Sequence, residues 1–164
     1  MVVAILGHGT VGGGVYELLK NRSDITVKYV LDRSPIAELG AVSVTDFSTI
    51  LNDGEVDTVV EVMGGLEPAH EYMVAAMRAG KNIVTANKHL LAAYYDELTT
   101  LAKETGIGFR TSAAVGGGIP WLPNLQRLKR IGAVNEICGI MNGTTNYILG
   151  MMHKKGYDYE SVLH

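Results

Sequence analysis

The chain has 164 residues, 47% of them hydrophobic and 19% charged, and a formal net charge of −3. This is a globular composition, long enough for one well-buried α/β domain and a few further elements, and it excludes disorder or a coiled coil. Lys and Arg form no run beyond pairs such as Lys129-Arg130 and Lys154-Lys155, so the sequence carries no electrostatic footprint for nucleic acid and a polyanion partner is not expected.

No apolar stretch is long enough to span a bilayer, and the opening Val2-Val3-Ala4-Ile5-Leu6 is too short for a signal segment. Cys138 is the only cysteine and has no partner for a disulfide, which fits a reducing compartment. The economical expectation is a cytoplasmic protein with no membrane partner.

In chain order, short β-branched runs alternate with stretches of helical periodicity, the pattern of βαβ units around a parallel sheet. Strands are expected at 2–6, 26–31, 41–44, 58–62, 82–86 and 108–111. Apolar on both faces, they belong inside a sheet covered by helices. Asp46 has the position of an N-cap for a short helix over 47–51.

A helix over 68–79 places Tyr72, Met73, Ala76 and Met77 on one stripe, with Pro68 in its first turn and Gly80 at C′. The next, over 89–104, aligns Leu90, Leu91, Tyr94, Leu98 and Leu101 and ends before Gly106. The small-residue loop 112–120 then interrupts regular structure, so a domain boundary is expected there, with residues 1–118 in the first domain and 119–164 in the second. The second is expected to hold a helix over 120–129 burying Leu122, Leu125 and Leu128, a strand over 136–141 and a helix over 144–153. The last of these carries a core stripe of Tyr147, Ile148, Met151 and Met152, and a further helix begins near the end.

The sharpest local signal is Gly7-His8-Gly9-Thr10-Val11-Gly12, a GxGxxG between an apolar strand and a helix. In that context Gly7 permits a tight turn, Gly9 admits a pyrophosphate to the backbone and Gly12 allows close helix–strand packing. The fold class this predicts is a Rossmann-type, doubly wound α/β parallel sheet.

Asp32 closes the second strand about 20 positions after Gly12, where such a domain places the acid that accepts the adenosine ribose hydroxyls, and this favours NAD(H) over NADP(H). Two other readings stand beside it: Arg33 can accept a 2′-phosphate, and Asp32 can be a solvated turn acid. Met63 and Gly64, in Glu61-Val62-Met63-Gly64-Gly65, and Thr85, Asn87 and Lys88 lie at the carboxyl ends of two further strands, where open α/β sheets bind ligands. Lys88 reads either as a solvated cation or as the group that takes the hydroxyl proton while hydride leaves an alcohol carbon.

Gly-His-Gly-Thr-Val-Gly, Gly80-Lys81-Asn82-Ile83-Val84-Thr85-Ala86-Asn87-Lys88, Ala114-Val115-Gly116-Gly117-Gly118-Ile119-Pro120 and Asn142-Gly143-Thr144-Thr145-Asn146-Tyr147-Ile148-Leu149 occur in this order. Together they resemble homoserine dehydrogenase over most of the chain. The resemblance implies an enzyme that interconverts L-homoserine and L-aspartate 4-semialdehyde with NAD(P)(H), on the branch to threonine, isoleucine and methionine, and a homodimer when intact. It implies that Lys88 is a catalytic lysine and that Gly143 and Thr144 help to hold the amino-acid substrate. On spacing alone, Thr144 or Thr145 reads as no more than an N-cap, and only the resemblance turns the segment toward substrate.

A monovalent cation on the carbonyls of Val115, Gly117 and Ile119 is also implied, although Ser112 stands where the family usually carries an acid. The family's second catalytic lysine and distal acids would fall beyond residue 164, so the resemblance implies an incomplete α+β substrate domain after the parallel sheet and a cofactor-binding fragment, itself without useful turnover. Two competing readings remain. An aspartate-semialdehyde dehydrogenase would need a nucleophilic cysteine, whereas Cys138 sits in an apolar run and reads as a buried structural thiol. A non-catalytic dinucleotide-binding module or redox sensor accounts for the glycine loop but not for the segments around Lys88 and Thr144.

Overall fold

The structure, a computed structural model, describes residues 1–163. It divides into two compact units, Met1–Pro123 and Asn124–His164. Among the described residues no helix is long and apolar enough to cross a membrane.

The first unit is built on a six-stranded parallel sheet of order β3-β2-β1-β4-β5-β6. Its strands are β1 (Val2–Leu6), β2 (Thr26–Leu31), β3 (Ser43–Val44), β4 (Thr58–Glu61), β5 (Asn82–Thr85) and β6 (Phe109–Arg110). Each of the six strands expected in the first domain is present, some shorter than the apolar run suggests, and residues 41 and 42 end a 3-10 segment rather than opening β3. β1 lies at the centre because its VVAIL sequence tolerates burial on both faces: Val3, Ala4, Ile5 and Leu6 are all buried.

The period of two splits these side chains between two cores. Ala4 and Leu6 join Met73, Met77, Ile83, Leu90 and Leu98 on one face; Val3 and Ile5 join Val30 on the other, where Val15 and Tyr16 pack. The first face is covered by α2 (Phe47–Leu51), α3 (Ala69–Arg78) and α4 (Lys88–Thr105), and the second by α1 (Thr10–Leu19).

Local signals set the helix ends. Asp46 caps α2 by accepting from Ser48 N–H at 2.8 Å. α3 buries Ala69, Met73, Ala76 and Met77 as one stripe, and Tyr72 stacks on Phe47 with ring centroids 4.2 Å apart. Pro68 is the N-cap of α3 rather than a residue of its first turn, and Gly80 follows the helix at φ +77°. Gly106 closes α4 in the left-handed conformation.

At the amino ends of the strands, buried Lys81 donates to the carbonyls of Asp53 (2.7 Å) and Val56 (2.9 Å), and burial lowers its pKa. Among the described residues, no buried side-chain nitrogen or oxygen lacks a partner.

The second unit holds α6 (Gly143–Lys155) and α7 (Tyr159–Leu163), and α5 (Trp121–Lys129) begins just before the unit boundary. None of these three helices has a buried residue, which corrects several expectations. Leu128 is 55% exposed and Tyr147 62% exposed, while Leu122, Leu125, Ile148, Met151 and Met152 are only half-buried.

The expected strand over 136–141 is absent, with Ile140 78% exposed, and Cys138 is exposed rather than a buried thiol. A strand needs a neighbour to take its N–H and C=O groups, and among the described residues the second unit contains no other strand.

Candidate functional site

Because the chain builds β2 and β3 on one side of β1 and then returns to place β4 on the other, a crevice opens at the carboxyl ends of β1 and β4. β1 runs out at Leu6, and Gly7 turns the chain at φ +99° with its N–H on the Leu31 carbonyl at 2.8 Å. A Cβ on Gly12 would lie 1.9 Å from the Gly7 oxygen, so only glycine lets α1 start this close to the strand. Gly9, the N-cap, offers no side-chain cap, and nothing crowds its Cα.

The first intrahelical bond is Gly13 N–H to Gly9 C=O at 2.8 Å. This leaves the N–H groups of Thr10, Val11 and Gly12 without intrahelical partners, and no acid in the first turn competes for them. Such a cradle fits a pyrophosphate, with the positive end of the helix dipole toward it.

Asp32 stands beside this loop. Its Oδ2 accepts from the His8 N–H at 2.9 Å and its Oδ1 from the Arg33 N–H at 2.7 Å, while the Arg33 side chain is exposed. The carboxylate is therefore tied both to the glycine loop and to its own turn, and it stays half-exposed.

Across β1, the segment after β4 approaches the same loop: a Cβ on Gly7 would lie 3.0 Å from Met63 Cα. Gly64 and Gly65 follow at φ +76° and +73°, a pair of left-handed conformations that only glycine adopts without strain. At the end of β5 the fully buried Thr85 turns its hydroxyl toward Glu61, and Asn87 caps α4 by accepting from Leu90 N–H at 3.2 Å. Asn87 Nδ2 also donates to the Gly65 carbonyl at 2.7 Å, joining the two segments.

Lys88 is the first residue of α4, exposed, and without an ion pair among the described residues. The amino end of a helix disfavours a cation, and no acid in the first turn offsets this, so helix stability does not explain a lysine there.

Gly7, Gly9, Thr10, Val11, Gly12, Asp32, Met63, Gly64, Thr85, Asn87 and Lys88 thus all lie at the carboxyl edge of one sheet. Sequence reasoning assigned no role to Glu61. The available signal was an acid ending the otherwise apolar Val59-Val60 run of a central strand, and a charge at such a position is kept only when something satisfies it.

In the loop after β6, the Ile119 carbonyl accepts from Trp121 N–H at 2.7 Å, and Gly116 and Gly117 take φ of +80° and +58°. In the second unit, Asn142 is the N-cap of α6, its Oδ1 accepting from Thr145 N–H at 2.9 Å. Neither Thr144 nor Thr145 serves as the cap. The N–H groups of Gly143 and Thr144 have no intrahelical partner.

A parallel sheet of this order, a glycine loop opening a helix and an acid ending the second strand define a Rossmann-type dinucleotide-binding domain. The family model for the homoserine dehydrogenase NAD-binding domain matches residues 7–111, and that for homoserine dehydrogenase itself matches 120–164. This chain belongs to the homoserine dehydrogenase family.

The homoserine dehydrogenase of Bacillus subtilis is 39% identical over 98% of this chain and 40% of its own length, and that of Synechocystis is 41% identical with the same coverage. The chain thus spans about 40% of the length of these curated relatives. Among solved structures, a homoserine dehydrogenase from Thiobacillus denitrificans superimposes with a TM-score of 0.88 at 36% identity, covering 99% of this chain and 41% of that one. A hyperthermophilic archaeal homoserine dehydrogenase mutant in complex with NADPH gives a TM-score of 0.83 at 25% identity, covering 99% and 59%.

Proposed function

We propose that this chain supplies the nicotinamide-cofactor half, and the proton-transferring lysine, of an enzyme that interconverts L-homoserine and L-aspartate 4-semialdehyde. The observation that carries this reading is the pairing, on one sheet edge, of an unpaired α1 N-terminus behind Gly7, Gly9 and Gly12 with the exposed Lys88 at the start of α4.

The bound cofactor would exchange a hydride with the substrate carbon. The chain's own groups supply the rest. The N–H groups of Thr10, Val11 and Gly12 hold the pyrophosphate, and Asp32 accepts the adenosine ribose hydroxyls. Lys88 Nζ takes the hydroxyl proton when homoserine is oxidised and returns one in the reverse direction. In the second unit the N–H groups of Gly143 and Thr144 suit an α-carboxylate, since Asn142 satisfies the third amide of the turn and leaves the first two available.

Asp32 favours NAD(H) over NADP(H), because a 2′-phosphate would meet its carboxylate. Arg33 lies adjacent and would take over discrimination if NADP(H) bound as tightly. The same reading includes a monovalent cation on the carbonyls of Val115, Gly117 and Ile119, where the Ile119 oxygen would have to share its Trp121 bond.

Titration with NADH and NADPH tests the cofactor assignment, with tighter NADH binding expected. Lys88→Ala, assayed in a protein carrying this chain together with a complete substrate domain, is expected to lower turnover by roughly 10²–10⁴-fold with NADH affinity nearly unchanged. NADH binding with no homoserine turnover in the unsubstituted protein would favour a sensor instead.

A further inference from the structure

Glu61 is fully buried at the carboxyl end of β4. Three donors converge on it. Thr85 Oγ1 donates to its Oε2 at 2.5 Å, and the Met63 N–H (2.9 Å) and Asn87 Nδ2 (3.3 Å) both donate to its Oε1. The Thr85 hydroxyl can donate to Glu61 because it accepts from the Asn87 N–H at 3.0 Å, so its own proton is free.

One carboxylate thereby gathers the first turn after β4, the last residue of β5 and the N-cap of α4. Asn87 extends the network to the Gly65 carbonyl and the Leu90 N–H. No ion pair of the described residues includes Glu61. A buried acid without a cation is costly unless hydrogen bonds compensate it, and here three donors are committed to doing so.

The place of the network says what it is for. The glycine loop after β1 fixes the phosphates and Asp32 after β2 marks the adenosine side, so the opposite half of a dinucleotide extends over β4 and β5. The left-handed Gly64-Gly65 pair and Lys88 flank that half, and each is one or two links from Glu61. Resting on the dinucleotide reading above, we propose that Glu61 is a positioning residue that holds the 63–65 turn and the start of α4 in the geometry that receives the nicotinamide end of the cofactor.

Glu61→Gln tests this with little change of shape. An amide has one acceptor oxygen, so whichever way it turns, at least one of the three donors faces an NH₂ group. ADP carries the adenosine and pyrophosphate but lacks the nicotinamide riboside, and NADH carries both. The substituted chain is expected to bind NADH about tenfold more weakly and ADP within about twofold of the parent.

Thr85→Val, which removes the bridging hydroxyl inside a β-branched outline, should show the same split and stands in if Glu61→Gln does not fold. Thermal unfolding of each variant identifies those that are folded. In a folded variant, equal weakening of both ligands, or of neither, would overturn the proposal and leave Glu61 a purely structural acid. Failure of the parent chain to bind either ligand would instead overturn the dinucleotide reading itself.

Discussion

Val2–Leu6 and residues 136–141 are both short, largely apolar runs with two or more β-branched residues, yet the first is a central strand of a sheet and the second has no regular structure. β1 pairs in parallel with β2 and β4, so every residue of the run has ladder neighbours and both its faces are covered. Among the described residues of their unit, residues 136–141 have no strand beside them.

Helices do not show this contrast. α6 forms in the second unit with no buried residue, because its hydrogen bonds are internal and its ends are closed by Asn142 and by Gly156 at φ +69°. Local signals suffice for a helix, whereas a strand and a core depend on what lies beside them.

Hydrogen exchange should give the largest measurable difference between the two regions. Amides of β1 and β4 are expected to exchange at least roughly a thousandfold more slowly than those of α6 and α7, since the former open only with the whole sheet. Equal protection of α6 and β1 would break the comparison.

Two glycine substitutions sharpen it. Gly12→Ala drives a Cβ into the Gly7 carbonyl and should cost about 3 kcal/mol of stability along with NADH binding, read by thermal unfolding and titration. Gly150→Ala, inside α6 with nothing within 4 Å of the added atom, should instead strengthen its helix by about 1 kcal/mol, seen as increased helicity.

What was legible in the sequence follows the same division. The GxGxxG turn, the Asp46 cap, the α3 stripe and the glycines at 80 and 106 are local or periodic signals, and the structure realises each of them. Asp32 was legible by its spacing, but its bond to the His8 N–H was not, because that bond joins residues 24 positions apart.

Glu61 was invisible as an organiser for a similar reason: its partners Thr85 and Asn87 come to it only through parallel pairing of β4 with β5. The burial expected of Leu128, Cys138 and Tyr147 failed because periodicity reports which face of an element is apolar, not whether anything covers it.

Acid titration separates the units by the smallest effect, since each carries an aspartate whose folded state favours the carboxylate. In the first unit, Lys28 beside Asp53, with the Glu55 N–H and the Tyr29 hydroxyl, holds that carboxyl at about 2. In the second, the hydroxyl and N–H of Ser161 hold Asp158 below the usual range, at the start of α7.

A carboxyl depressed by folding contributes stability that is complete above its unfolded value near 4 and is lost as pH falls through its folded value. Between about pH 4 and pH 2 the unfolding temperature of the first unit should therefore drop as Asp53 is protonated and the bridge from β2 to the turn before β4 is lost. Asp53→Asn should start from a lower unfolding temperature and flatten that slope. Asp158→Asn should leave the slope unchanged and remove only a small loss of helicity, because α7 is five residues long and has no buried residue. Sheet unfolding that follows Asp158 instead of Asp53 would mean that the two units melt as one.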